Sequence, residues 1–439
     1  MRRSKDANLT ISFSTDVFSR DSFHAFCDVI RTSSHRVCEL TVKEIERERI
    51  LEDAFKDVPH SSMSRLQSLA MTLSISISSY HRKNFDTLRF IEKYIGDTSD
   101  LRRVDLYCTA AWDSRILNDL THLTIRNEFM LPVEQLASST QFFDAIRRMP
   151  RLQELHLDSV VLTTAGDDIV KLLLLRTLML RGNALEAANV LRHLRILPSC
   201  SVDIECRASK SSAGLISSLR NLFFAPPSSD TLVPSMGFLQ LGLKRGTIEF
   251  WASLAPQVAP LTNPPPNHSP FLAITLCFAV TLTHIEIIQR IIIGAFNALS
   301  CRNLFTFSLV SNVPPGVFDD CKFLDALGQQ PILEDIHVET GFISQFLDYM
   351  ALRTDASNTP FPALRVVHFF GMDYQWVRRQ PFPVQDLQRF VRQRKELGIG
   401  LQRLTIERCC LLKAVDIELL GNSVDEVSCG VDDSAYEVT

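Results

Sequence analysis

The sequence predicts an α/β chain of stacked repeats, with strands side by side in a parallel sheet and helices behind them. Three observations carry this. An apolar-x-x-apolar-x-apolar phrase recurs at Leu66–Leu69–Met71, Leu101–Val104–Leu106, Leu120–Leu123–Ile125, Leu152–Leu155–Leu157, Leu175–Leu178–Leu180, Leu333–Ile336–Val338, Leu364–Val367–Phe369 and Leu401–Leu404–Ile406. A short strand with one apolar edge cannot bury it alone, whereas stacked copies bury one another. Two distant segments also match without a gap, QFFDAIRRMPRLQELHL at 141–157 and KFLDALGQQPILEDIHV at 322–338. Finally, within the runs 66–180 and 333–406, successive phrases start about 19 to 37 residues apart, against about 20–29 in regular leucine-rich repeats. The expected fold is therefore an irregular leucine-rich-repeat solenoid, with a parallel concave sheet and helices on the convex side.

Each element has a local reason. Residues 21–42 give a helix with Phe23, Phe26, Cys27 and Ile30 in line on one face, and then VCELTV as a strand. In the matched segments Phe142, Ile146 and Met149 share a helix face. Pro150 and Pro331 then end the helix, and a strand begins within two residues. The segment 386–406 repeats this order, leaving its helix through Gly398 and Gly400. Only Asn127 and Asn183 come near the asparagine position that regular repeats place after the strand.

The middle of the chain differs. Residues 225–235 and 255–270 are rich in proline, serine and asparagine and read as loops. Between them Leu239, Leu241, Leu243, Ile248 and Phe250 alternate around Lys244-Arg245-Gly246, the pattern of a β-hairpin. A strand is expected over Leu272–Phe278. An amphipathic helix then carries Ile285, Ile288, Ile292, Phe296 and Leu299 on one face. The expected divisions are 1–224, a loop-and-hairpin insertion at 225–270, 271–423, and an acidic tail at 424–439. Lys43 to Asp53 mixes both charge signs and reads as an exposed turn.

Composition bounds function. A formal net charge of −4 gives no global field toward nucleic acid or an anionic membrane. The most hydrophobic window, 271–299, is interrupted by His284, Glu286 and Arg290, so no membrane span is expected. Eleven cysteines without any Cys-x-x-Cys fit reduced, mostly buried thiols in the cytoplasm or nucleus.

No catalytic signature stands out. Gly-x-Ser-x-Gly and the Walker pattern are missing, and Gly398-Ile-Gly400 lacks a third glycine. Cys200, Cys206 and nearby His193 have no second ligand pair to complete a zinc site, and Cys409-Cys410 is likewise alone. No enzyme activity, metal or cofactor is expected. Arg378, Arg379, Arg389, Arg392, Arg394 and Lys395 cluster near Trp376 and Phe390. They define the alternative, a nucleic-acid surface at 378–395, diluted by Asp373, Asp386 and Glu396. An enzyme site in the 225–270 loops is the other alternative.

What remains is the concave face of the strands. Alternation turns Arg103, Asp105, His122, Thr124, Glu154, His156, Thr177 and Met179 away from the leucine edge. In the later phrases it does the same for Asp335, His337, Val366, His368, Arg403 and Thr405. The candidate partner-binding residues are Arg103, Asp105, His122, Glu154, His156, Met179, Asp335, His337, His368 and Arg403. His156 and His337 occupy the same repeat position, and both are expected to be exposed.

Taken together, SSHRVCELTV, FFDAIRRMPRLQELHLDSVVL, FNALSCRNLFTFSL and LQRLTIERCCLLKAVDIELLGNSVDEV resemble the fungal, especially basidiomycete, F-box/leucine-rich-repeat-like proteins. The resemblance covers most of the chain and implies a protein-binding scaffold like the substrate-recognition part of a ubiquitin-ligase receptor. The family's Leu-Pro-x-Glu-type start and Cys-x-x-Trp-Arg-type helix do not occur here. A ligase adaptor is therefore an expected partner only if an F-box lies upstream, and no site residue transfers from the family.

Overall fold

A computed structural model describes residues 7–14, 20–43, 54–60, 62–72, 92–94, 100–107, 112–126, 139–160, 169–197, 199–207, 237–244, 247–253, 272–277, 291–294, 301–311, 322–352, 359–371, 382–407 and 414–430. The chain is a mixed α/β protein in two compact units, Met1–Cys200 and Ser201–Thr439.

The first unit carries a parallel sheet whose strands are β1 (Leu9–Ser14), β2 (Val37–Lys43), β3 (Ser68–Thr72), β4 (Arg103–Tyr107), β5 (His122–Arg126), β6 (Glu154–Asp158) and β8 (Thr177–Asn183), in that spatial order. A separate parallel pair joins β7 (Val170–Leu172) to β9 (Leu194–Ile196). Helix α1 (Arg20–Ser33) links β1 to β2, α2 (Ser139–Arg147) precedes β6, and α3 (Ala184–His193) follows β8. Asn183 is no ladder asparagine. Its side chain caps α3, accepting the Leu185 N–H at 2.9 Å.

The sheet of the second unit runs β10 (Ser201–Arg207), β13 (Leu272–Cys277), β12 (Thr247–Ser253), β11 (Phe238–Lys244), β14 (Thr306–Ser311), β15 (Asp335–Glu339), β16 (Val366–Phe370), β17 (Arg403–Glu407) and β18 (Glu426–Gly430). The expected hairpin is β11–β12, with Leu241 opposite Phe250 and Leu243 opposite Ile248. It does not bulge from the sheet. It is part of it, pairing antiparallel to β13 and parallel to β14. Helices α4 (Lys322–Gly328), α5 (Thr340–Leu352), α6 (Val384–Glu396) and α7 (Ala414–Gly421) precede β15, β16, β17 and β18. Glu426–Gly430 is thus a paired strand, where an acidic tail was expected from 424. Six strands, β1, β7, β9, β10, β14 and β18, are not among those expected from the sequence. Of the expected helix at 285–299, the described residues 291–294 are helical, with Ile291 and Ile292 buried.

The leucine phrases build both cores. All of their apolar positions, from Leu66 to Ile406, are at most 3 % exposed. Burial of one such side chain is worth about 1.5–3 kcal/mol. The matched segments superpose in role: 154–158 and 335–339, shifted by 181, are both strands, and Phe142 and Phe323 are both fully buried.

Backbone bonding sets the register between phrases. The carbonyl just before one strand accepts two consecutive N–H groups from the next phrase. Gln67 O takes Arg102 and Arg103 at 2.9 and 3.0 Å, and Thr121 O takes Gln153 and Glu154 at 2.7 and 3.1 Å. Phe305, Glu334 and Arg365 repeat this in the second unit. A polar backbone that must be satisfied wherever it is buried makes this rung a repeat-defining contact. Gly398, at φ +75°, stops α6 with its N–H on Lys395 O and the Ile399 N–H on Arg394 O.

Candidate functional site

The candidate residues fall into rows fixed by strand register. In the first unit one row runs Ser68, Arg103, His122, Glu154, Thr177, and the next runs Ala70, Asp105, Thr124, His156, Met179. A third row, one step beyond the six-residue phrase, adds Arg126, Asp158 and Arg181, which are not among the expected contacts. Their sequence signal is the same alternation, one step further along each strand. Every residue of these rows is exposed or half-buried, so six expected residues, Arg103, Asp105, His122, Glu154, His156 and Met179, share one accessible face.

That face alternates in sign. His122 Nε2 lies 3.4 Å from Glu154 Oε1 on the adjacent strand, and Arg126 Nη2 lies 3.6 Å from Asp105 Oδ2. Burial pushes the Asp105 carboxyl above its ordinary pKa, against the pull of Arg126 and His156. Burial likewise holds His156 below the usual histidine value, with Arg126 and Arg181 adding to the effect and Glu154 and Asp105 opposing it. Asp105 Oδ1 and His156 Nε2 are buried atoms without a hydrogen-bond partner. The arrangement offers acceptors, donors and one thioether, suited to holding a peptide surface.

The second unit differs. Its corresponding row runs Gln240, Ser308, His337, His368, Thr405, Ser428. His337 and His368 are 3 % and 6 % exposed, so the expectation of exposed histidines fails at both. The reason lies in their neighbours: Thr306, Ser308, Val310, Glu339 and Phe370 on the same face are buried too, making β14 to β16 covered on both sides. The two imidazoles sit 5.2 Å apart between ring centres. His337 Nε2 is 3.1 Å from Asp335 Oδ1, and His368 Nε2 is 3.6 Å from Glu407 Oε1. Burial lowers the His368 pKa, and the charge of His337 lowers it further. Arg403, two strands on from His337, is exposed and bonds Glu426 at 2.8 Å.

Other candidates resolve into structural roles. His193 is a core residue, with Nδ1 on Asn189 O at 2.6 Å and its ring against Phe143. Burial pushes the Cys200 and Cys301 thiols up to about 12, far from thiolate chemistry. Among the described residues no group of three or more His, Cys, Asp and Glu side chains could hold a metal ion. No helix among them is long and apolar enough to cross a membrane.

Of the basic cluster, Arg378, Arg379 and Trp376 lie outside the described residues, as do most of Lys43–Asp53 and Cys409-Cys410. Arg394 is withdrawn from any such surface. It is 1 % exposed and donates to the carbonyls of Pro360, Phe361 and Leu364 at 3.3, 3.0 and 3.1 Å. Those carbonyls belong to the turn before β16, where Phe361 has φ +55°. Arg389 pairs with Asp386, and Lys395 Nζ donates to Asn422 O.

The chain matches no protein-family model and no curated protein sequence.

Proposed function

We propose that the chain is a non-enzymatic binding protein, an irregular leucine-rich-repeat solenoid that holds a protein partner on the strand face of residues 103–181. The observation that carries this is the set of rows from Arg103 to Arg181: accessible, of alternating charge, and mounted on paired strands whose register is fixed by backbone bonds. A rigid platform of this kind spares the ordering cost that a flexible loop would add to binding. The repeated carbonyl rung and the match between 141–157 and 322–338 support the solenoid reading. The resemblance to F-box/leucine-rich-repeat-like proteins supports a substrate-receptor origin in the cytoplasm or nucleus.

The test is affinity capture from a fungal extract with the wild-type chain and with Arg103→Glu/Glu154→Lys, quantified by mass spectrometry. Partners of the proposed face are enriched on the wild type and lost on the variant. Identical partner sets on both would remove the proposal. Co-purification of a ligase adaptor with the wild type would add the ligase connection.

A further inference from the structure

The small ribbon β7–β9 presents a second surface, unrelated to the strand face proposed above. Alternation along β7 buries Val170 and Leu172 and turns Ile169, Lys171 and Leu173 outward. Ile169 and Leu173 are 49 % and 57 % exposed. On β9, Leu194 and Ile196 are buried while Arg195 and Leu197 face out, Leu197 being 43 % exposed. Register places Lys171 directly opposite Arg195, and Leu173 and Leu197 immediately follow the last registered pair. The outer face is therefore a row of two cations beside a row of two leucines, with Ile169 on the other side of Lys171.

Two like charges opposite each other on a ribbon are mutually destabilising. Lys171 makes no ion pair among the described residues, and Arg195 only folds back onto the carbonyls of Arg192 and Leu194. Arg192, beside them, is exposed as well. Among the described residues, the acids in reach are engaged elsewhere. Asp144, on the helix packed against β7, pairs with Arg147. Glu186, the one acid between 169 and 197, accepts a backbone bond at Asn183, at the far end of α3. The strip thus combines unpaired positive charge with leucines left open to water, and an incoming carboxylate between apolar side chains would satisfy both.

We propose that this face of β7–β9 is a docking strip for an extended partner segment of pattern apolar-x-acidic-x-apolar. Residues two apart on any strand are about 6.6 Å apart, so an extended segment reproduces the Ile169–Lys171–Leu173 spacing residue for residue. The acidic side chain lies between Lys171 and Arg195. The apolar ones cover Ile169 on one side and Leu173 with Leu197 on the other.

The experiment is selection from a displayed nine-residue peptide library carrying apolar-x-Asp/Glu-x-apolar at its centre, against the full chain. Selected peptides are then measured by fluorescence anisotropy. Lys171→Glu/Arg195→Glu should weaken binding at least about tenfold, and a peptide with Lys replacing its acidic residue should bind that variant better than the wild type. Leu173→Ser/Leu197→Ser should weaken binding without altering the melting curve, since both side chains are exposed. Three results would overturn the proposal. They are no selected peptide, equal binding to the charge-reversed variant, or a homodimer in sedimentation that Leu173→Ser/Leu197→Ser disperses. Binding of anionic lipid vesicles without any selected peptide would assign the strip to a membrane surface and overturn it too.

Discussion

The strands of the first unit and those of β14 to β16 share one architecture and differ in their second face. Strands β3, β5 and β6 alternate strictly between buried and half-buried residues. Strands β15 and β16 bury four of their five residues in succession. The side chains differ as well. The first unit's open rows hold Arg103, Asp105, Arg126, Glu154, Asp158 and Arg181, whose desolvation would be costly. Strands β14 to β16 carry Thr306, Ser308, Val310, His337, Glu339, Val366, His368 and Phe370 on that face, fewer charges in all, yet Glu339 and both imidazoles are covered with them. The same scaffold thus makes an open face in one place and a covered one in the other.

The largest expected effect tests what the units have in common. Phe142→Ala and Phe323→Ala each empty a fully buried site at equivalent repeat positions and should each cost about 3–5 kcal/mol. Hydrogen exchange with mass spectrometry under urea would read the loss within the unit that carries the change. A loss in one and near-neutrality in the other would break the equivalence of the matched segments.

Next comes a pair of arginines. Arg394→Met strands three carbonyls that the buried guanidinium satisfies and should cost about 3 kcal/mol. Arg148, half-buried in the first unit, reaches among the described residues only the carbonyl of Trp112, and Arg148→Met should cost about 1 kcal/mol. Equal costs in urea unfolding would mean that the second unit gains nothing from burying its cation.

The histidines give a pH test. Both His156 and His368 are held below the usual value by burial, so the folded chain favours their neutral forms. The unfolded chain takes up a proton near pH 6.5. Their contribution is therefore complete above about pH 6.5 and is lost as pH falls below it. Unfolding midpoints at pH 7.5 and 5.5 should separate, and His368→Gln should narrow that gap in the second unit. His156→Gln should narrow it less in the first, because His156 borders the open face. An unchanged gap in both variants would show that neither histidine governs it.

These contrasts also mark how far the sequence was legible. The leucine phrases disclosed the strands they contain because an apolar spacing and a buried edge are the same fact seen twice. The helix–proline–strand unit was equally plain from Phe142 to Leu157. Strands β1, β7 and β10 escaped because they lack the full phrase and owe their place to pairing with a neighbour, whereas β9, β14 and β18 do carry it, as Leu191–Leu194–Ile196, Leu304–Phe307–Leu309 and Val424–Val427–Cys429. The hairpin was visible from its alternation, but not its position inside the sheet, which depends on partners distant in sequence. For the site, periodicity assigned the face of each residue correctly, and the first unit's six candidates do lie together. It could not show that the face of His337 is covered. The available signal was the small or apolar company of Ser308, Val310 and Phe370 rather than the histidine itself.

The smallest stability effect is the most pointed for function. Asp105 sits among half-buried neighbours, its carboxylate disfavoured by burial and only partly compensated by Arg126 at 3.6 Å. Asp105→Asn removes a charge that the fold does not favour and an ion pair of the exposed class, worth at most about 1 kcal/mol. The two terms oppose, so the unfolding free energy should move by less than about 0.5 kcal/mol. Binding should respond differently, because a partner cation docked against the Asp105–His156 row would lose its carboxylate and keep the neighbouring repulsion of Arg126. A variant that is as stable as the wild type yet captures less partner would locate recognition on the open rows. If Asp105→Asn binds normally while Arg403→Glu does not, the contrast inverts, and the second unit's edge becomes the working surface.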